Sequence, residues 1–258
     1  VVPYPQLDVP DPIAVAADFS CRVSSPCLQG VVRGNSLTYE NQAYGTRLTQ
    51  MALNGRFTGE RLEIESLTAK AGDGTVSAKG YISLAADAGY PMDISATVQN
   101  ARVARSDALS ARATGNIRLT KKAGETALLS GELRLPETRY QMIRQGAAEV
   151  PQLTGVRFKP ARGRQLVTGD EQASPSAGLL SLIRLDLKLT APDELYVSGM
   201  GLESEWRANF RVGGTSAQPT LAGQVELIRG TLGFAGRQFE LSSGHLDFTG
   251  GQTIDPVI

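Results

Sequence analysis

Scarcity sets the first limits on this chain of 258 residues. With a single histidine, His245, it cannot build any site that needs two, the HExxH zinc proteases included. Two cysteines are too few for a disulfide-stapled miniprotein or a four-cysteine zinc site. Lys and Arg total 26 against 26 Asp and Glu, so the basic excess of a nucleic-acid binder is missing and no nucleic-acid partner is expected. No stretch reaches the roughly 20 consecutive apolar residues of a membrane-spanning helix. The opening Val1 to Pro12, with proline at 3, 5, 10 and 12, has neither the basic nor the apolar region of a signal peptide. There is no P-loop pattern and no GxSxG. What remains, 41% hydrophobic residues and 28 glycines, is a folded chain of one large or two ordinary domains. The proline-rich opening reads as a linker and Ile254 to Ile258 stops in an extended stretch, so a piece of a larger protein is expected.

Period-two alternation dominates the chain. Ile183, Leu185, Leu187 and Leu189 interleave with Arg184, Asp186, Lys188 and Thr190. Leu202, Trp206, Ala208, Phe210 and Val212 share one parity, while Glu203, Glu205, Arg207, Asn209 and Arg211 hold the other. Successive side chains of a strand point to opposite faces, so each run makes one apolar and one wet face. Helical periodicity is weak, and only Ser106 to Ala113 and Thr138 to Ala148 are candidates for short helices.

A second pattern overlies the first. Apolar-x-Gly-x-apolar-x-apolar recurs at Ala78-Gly80-Ile82-Leu84, Ala113-Gly115-Ile117-Leu119, Leu129-Gly131-Leu133-Leu135 and Leu221-Gly223-Val225-Leu227, with a partial copy at Leu53-Gly55-Phe57. Each glycine lies on the apolar parity, which signals a bend, a bulge or a close approach. Irregular spacing between copies excludes a fixed-period solenoid. Turn signals such as Ala71-Gly72-Asp73-Gly74 and Gly213-Gly214 predict one long antiparallel meander, an all-β fold. From Ile143 to Ser181 the alternation fades into Gly, Pro, Ser and charge, including Arg157, Lys159, Arg162 and Arg164. A solvated flexible insertion is the favoured reading there over a phosphate-binding role. The predicted division is 1–20 linker or partial strand, 21–142 first part of the β-structure, 143–181 insertion, and 182–258 second part.

Candidate chemistry is thin. Cys21 and Cys27 bracket Ser24-Ser25-Pro26, a spacing that favours a local disulfide over two unrelated thiols. Gly199-Met200-Gly201-Leu202-Glu203-Ser204 is a near miss to GxGxxG, but it runs into a strand instead of opening the helix that would hold a pyrophosphate. The carboxylate pairs Asp170-Glu171, Asp193-Glu194 and Glu203/Glu205 read as solvated, and His245 as a surface or packed residue in a strand. No enzyme, metal or cofactor reading emerges.

The last sixty residues are more specific. Gly201-Leu202 and Trp206 precede Gly213-Gly214-Thr215, Pro219, Gly223-x-Val225-x-Leu227 and Arg229-Gly230-Thr231-Leu232-x-Phe234. Gly236-Arg237-x-Phe239-x-Leu241, Gly244-x-Leu246-x-Phe248-x-Gly250 and Asp255-Pro256 follow. This ordered series resembles the C-terminal region of the TamB family, within the AsmA-like, bridge-like lipid-transfer group. The likeness is dense over Leu182 to Ile258 and looser over Leu48 to Pro151. It implies a long periplasmic β-structure rolled into an open, taco-like groove with an apolar interior. It also implies an inner-membrane anchor outside this chain, a TamA-like outer-membrane barrel as partner, and a role in outer-membrane protein assembly and phospholipid passage. A periplasmic setting suits a Cys21–Cys27 bridge.

On that reading the groove-lining residues are Ile82, Leu84, Ile117, Leu119, Leu133, Leu135, Leu185, Leu187, Leu189, Trp206, Phe210, Val225, Leu227, Phe234, Leu246 and Phe248. A closed β-sandwich needs the same alternation. About fifteen strands at roughly 4.7 Å would make a trough on the order of 70 Å long. Two functions are expected to compete: a groove shielding phospholipid acyl chains, and a scaffold that guides nascent outer-membrane protein strands by β-augmentation.

Overall fold

The structure is a computed structural model that describes residues 6–8, 13–22, 25–41, 45–142 and 183–251, with the backbone alone at 6–8, 19, 21–22 and 25–26. The predicted insertion, its basic run and Asp170-Glu171 lie outside these residues. Within them fifteen strands form one sheet, and no segment is helical. The strands are β1 (Gln6–Asp8), β2 (Ala14–Arg22), β3 (Ser25–Asn41), β4 (Thr46–Gly59) and β5 (Arg61–Ala71). Next come β6 (Gly74–Ser83), β7 (Met92–Arg105), β8 (Leu109–Lys121), β9 (Leu128–Arg134) and β10 (Thr138–Gln141). The last are β11 (Arg184–Gly199), β12 (Leu202–Gly214), β13 (Pro219–Phe234), β14 (Arg237–Leu241) and β15 (His245–Thr249).

Strands β3 to β8 form the expected antiparallel meander, each paired with its sequence neighbours. The meander then breaks. Strands β9 and β10 pair antiparallel with β8 on one side and parallel with β11 on the other. The long antiparallel sheet of the sequence reading is thus antiparallel throughout the described strands except at these two pairings with β11. Parallel neighbours run the same way, so they cannot be joined by a hairpin and need a crossover of a dozen or more residues. The stretch 143–182 makes that connection.

Both expected helices give way to β-structure. Ser106 to Ala113 is a turn followed by the start of β8, and Thr138–Gln141 is β10, while 143–148 lie outside the described residues. In β8, Ala111 and Ala113 face the core while Arg112 points away, so cross-strand burial overrides the helix propensity of alanine. The near miss to GxGxxG is the hairpin turn between β11 and β12.

Counting strands overestimated the trough. Strands β1 and β2, β9 and β10, and β14 and β15 each share one rank of the sheet, so the path from β1 to β14 is twelve ranks across. At roughly 4.7 Å per rank the sheet is about 50 Å wide.

The glycines of the repeated pattern sit where neighbouring backbones come closest. At Gly80 (φ 151°) a Cβ would lie 2.0 Å from the Asp93 carbonyl oxygen, and at Gly223 (φ 142°) 2.0 Å from that of Asn209. Only glycine allows this conformation and approach together, and such positions bend a sheet. The sheet curls toward its apolar side. Thr46 Oγ1 in β4 donates a hydrogen bond to the Val103 carbonyl in β7, across the short β5–β6 hairpin, and Leu48 packs against the inner cluster of Ala71, Val98 and Ala101.

The opposite face carries a lattice of cross-strand ion pairs. Arg56–Glu65 (3.0 Å), Lys188–Glu132 (3.5 Å), Arg211–Asp186 (2.9 Å) and Arg229–Glu205 (2.6 Å) join neighbouring strands. Each exposed pair adds little stability. Together they keep one face wet, which fixes the register, since a one-residue slip would turn every charge inward.

Candidate functional site: the apolar face

Register assembles the inner face row by row. Leu62, Ile82 and Met92 form one row. Ile64, Gly80, Ile94, Leu119, Leu129 and Leu185 form the next. Ala96, Ile117, Gly131, Leu187, Val212 and Leu221 follow. Val98, Gly115, Leu133, Leu189, Phe210, Gly223 and Phe248 make another. Ala191, Ala208, Val225 and Leu246 lie beyond it, then Leu195, Trp206 and Leu227. Met92 stands in register with Lys121, so the first row ends on a charged side chain at the border of the sheet, and the other rows contain none.

Two predicted residues sit just outside the strands. The Leu84 N–H donates to the Glu60 carbonyl at 2.8 Å, and the Leu135 N–H to that of Thr190 at 2.8 Å. Leu135 packs against both inner clusters, one built on Ala71, Val98, Ala101 and Ala113, the other on Ala191, Ala208 and Val225. It therefore ties the face on either side of the parallel seam. Phe234 lies furthest from the clusters, at the end of β13 and 70% exposed.

The floor of the face is made of small residues. The buried apolar residues are mostly alanine, with Val32, Leu37, Val98 and Val225, and no large side chain among the described residues is fully buried. Leu119, Leu133, Leu185, Leu187, Leu189, Phe210 and Phe248 are all half-buried. A second layer would bury such side chains as a sandwich does. All described strands belong to one sheet, so no second sheet covers them here. Phe210 and Phe248 meet edge to face at 5.5 Å, within ordinary aromatic pairing geometry.

Polar groups on this face are few and mostly satisfied. Trp206 Nε1 donates to Ser204 Oγ at 2.7 Å, and that hydroxyl donates to the Val197 carbonyl at 3.0 Å, so the indole keeps its partner on an apolar surface. Thr138 Oγ1 at the parallel seam is buried without a partner. The clearest perturbed titration lies on the wet face, where the Arg118 guanidinium, bonded to Asp93 with Nε to Oδ1 at 2.7 Å, holds that carboxyl below its ordinary value. No group of three or more His, Cys, Asp or Glu among the described residues could hold a metal ion. Glu205 is taken up by Arg229, and His245 is exposed on β15.

Reading the sequence missed Ala101 and Ala191 of the floor and the rows' Ile64, Ile94 and Leu195, and put Ala113, Ala208 and Leu129 on the apolar parity without counting them in the lining. Parity marks Ala101, Ile64 and Ile94, which stand between polar neighbours. Cys27 stands opposite Ser20, and Cys21 opposite Pro26, on the β2–β3 hairpin. The Cys21 side chain lies outside the described residues.

Comparison with known proteins places this face in a family. The family model described as the TamB C-terminal domain matches residues 65–258. No curated protein and no solved structure matches the chain. The family acts in the periplasm in outer-membrane assembly and lipid transport generally, in association with TamA-type outer-membrane partners. No described helix is long and apolar enough to cross a membrane. A match over this much of the chain, on a curled sheet with one apolar face, shows that the chain belongs to the TamB family.

Proposed function

We propose that the chain is a segment of an open apolar β-groove that shields phospholipid acyl chains as they pass through the periplasm between the two membranes. The observation behind this reading is the single-layer sheet whose inner rows, apolar but for Lys121 at one border, stay half-exposed over most of its width. An apolar surface of that extent is more than monomeric proteins usually leave uncovered. Burying one methylene is worth about 0.8 kcal/mol, so an acyl chain in the groove gains on the order of 10 kcal/mol over water. A lining of similar aliphatic side chains lets it slide without a deep minimum at any one place. The partly buried residues of the rows, from Ile82 and Leu84 to Leu246 and Phe248, contact the chain, while Leu135 keeps the lining continuous across the seam. The mechanism is passive, with no covalent step. A TamA-like barrel in the outer membrane receives the far end.

Phospholipid recovered from the purified protein by mass spectrometry, and removed by detergent exchange, is the expected result. Protein that carries no lipid after gentle isolation from membranes would contradict it. A second reading draws on the edges of the sheet. Strands β2, β14 and β15 each pair on one side only among the described residues, leaving backbone groups that a nascent outer-membrane strand could extend. Photo-crosslinks from β15 to unfolded barrel substrates, without bound lipid, would favour it.

A further inference from the structure

The two long borders of the curled sheet differ in chemistry. On one, the β12–β13 turn presents Thr215, Ser216 and Gln218, and the β8–β9 turn carries Lys122 and Glu125. The other, over the last third of the sheet, is apolar. Met200 is 63% exposed at the β11–β12 turn, Phe234 70% at the β13–β14 turn and Phe239 48% beside it. The two tips are joined directly, with the Gly233 N–H donating to the Gly201 carbonyl at 2.8 Å. Leu202, Leu232 and Phe239 form one row across the three strands, and the row between it and Trp206 holds one polar side chain, Ser204, whose hydroxyl is bonded to Trp206 and to the Val197 carbonyl, so the lip continues the inner face.

Each tip carries one large apolar side chain among glycines and alanine, Gly199-Met200-Gly201 and Gly233-Phe234-Ala235-Gly236. The one charge in the two turns is the exposed Arg237, which makes no ion pair with any described residue. We propose that this lip seats in the head-group region of a phospholipid bilayer, and that acyl chains pass there between the membrane and the inner face. The proposal rests on the reading of that face as lipid-bearing. Three exposed side chains on two slender tips offer less than the roughly 800 Å² that each partner gives to a standard protein–protein interface. Apolar side chains projecting beside an unpaired guanidinium match the boundary between acyl chains and phosphates, where aromatic and basic residues concentrate. The polar lip opposite has no such feature, which gives the groove one side that faces lipid.

The test is flotation of the whole chain with vesicles of phosphatidylethanolamine and phosphatidylglycerol. Wild type and Gln218→Ser, on the polar lip, are expected to float alike. Met200→Ser/Phe234→Ser should lose at least tenfold in bound fraction with an unchanged melting temperature, because both side chains are exposed, and Met200→Leu/Phe234→Leu should restore it. Equal flotation of wild type and the serine variant overturns the proposal. So does a wild type that stays unbound while it crosslinks to an outer-membrane barrel, which would make the lip a protein contact. Bound phospholipid, measured on the same samples, separates the two claims. A chain that keeps its lipid but does not float overturns the lip alone, and one that floats but carries no lipid overturns the passage of chains along with the groove.

Discussion

A methyl group at Gly223 would lie 2.0 Å from the carbonyl oxygen of Asn209, on backbone with φ 142°. Gly223→Ala is therefore expected to cost about 1–3 kcal/mol in chemical denaturation. Gly233→Ala is the control, since its nearest neighbour is 3.7 Å away and its φ is ordinary, and it should stay within about 0.5 kcal/mol. Equal costs at the two positions would remove the bending role assigned to the patterned glycines. The pattern was visible in the sequence because each such glycine shares parity with leucines and isoleucines. What it bends against was not visible, since Asn209 and Asp93 belong to other strands. Asp93 makes a second residue-scale prediction. Its ion pair with Arg118 lowers the carboxyl pKa below the ordinary 3.8. A depressed carboxylate contributes stability that is complete above the unfolded pKa and is lost as pH falls through the folded one. An NMR titration should place Asp93 below its ordinary midpoint, and Arg118→Gln should bring it back. An unshifted Asp93 in wild type would contradict the pairing.

At the scale of elements, alternation identified strands such as β11 and β12 and their two faces, because burial of one face imposes a period of two. It could not reveal that β11 lies parallel to β9 and β10, since a strand with one apolar face serves either kind of neighbour. The position of the bulge in β13 was not legible for a related reason. Between Trp206↔Leu227 and Ser204↔Gly230 the β13 register gains a residue, which carries Leu232 and Phe234 to the same side as Leu227. No local composition marks that extra residue. The β2–β3 hairpin supplies an element-scale prediction. Cys21 and Cys27 stand one residue out of register on adjacent strands, and we propose that they are bonded in the oxidising periplasm. Unreduced periplasmic protein should then react with no maleimide, whereas two labelled thiols before reduction would refute the bridge.

For the molecule as a whole, the family match and the all-β sheet were both legible in the ordered glycines, arginine and aromatics of the last sixty residues. Openness was not, because a sandwich and a groove write the same alternation. The structure separates positions that looked equivalent in sequence. Val225 is 5% exposed, packed with Ala191 and Ala208 in the floor, whereas Leu187 is only half-buried. Val225→Arg buries an unpaired charge and should cost about 3–5 kcal/mol, unfolding much of the chain near physiological temperature. Leu187→Asp places its charge where water can reach it. The direct test of the groove is phospholipid transfer between vesicles by Leu187→Asp, with its melting temperature measured on the same preparation. A folded variant, melting within a few degrees of wild type and unable to transfer lipid, is the predicted result. Unfolding of Leu187→Asp, or transfer at the wild-type rate, would contradict an open apolar path along this face.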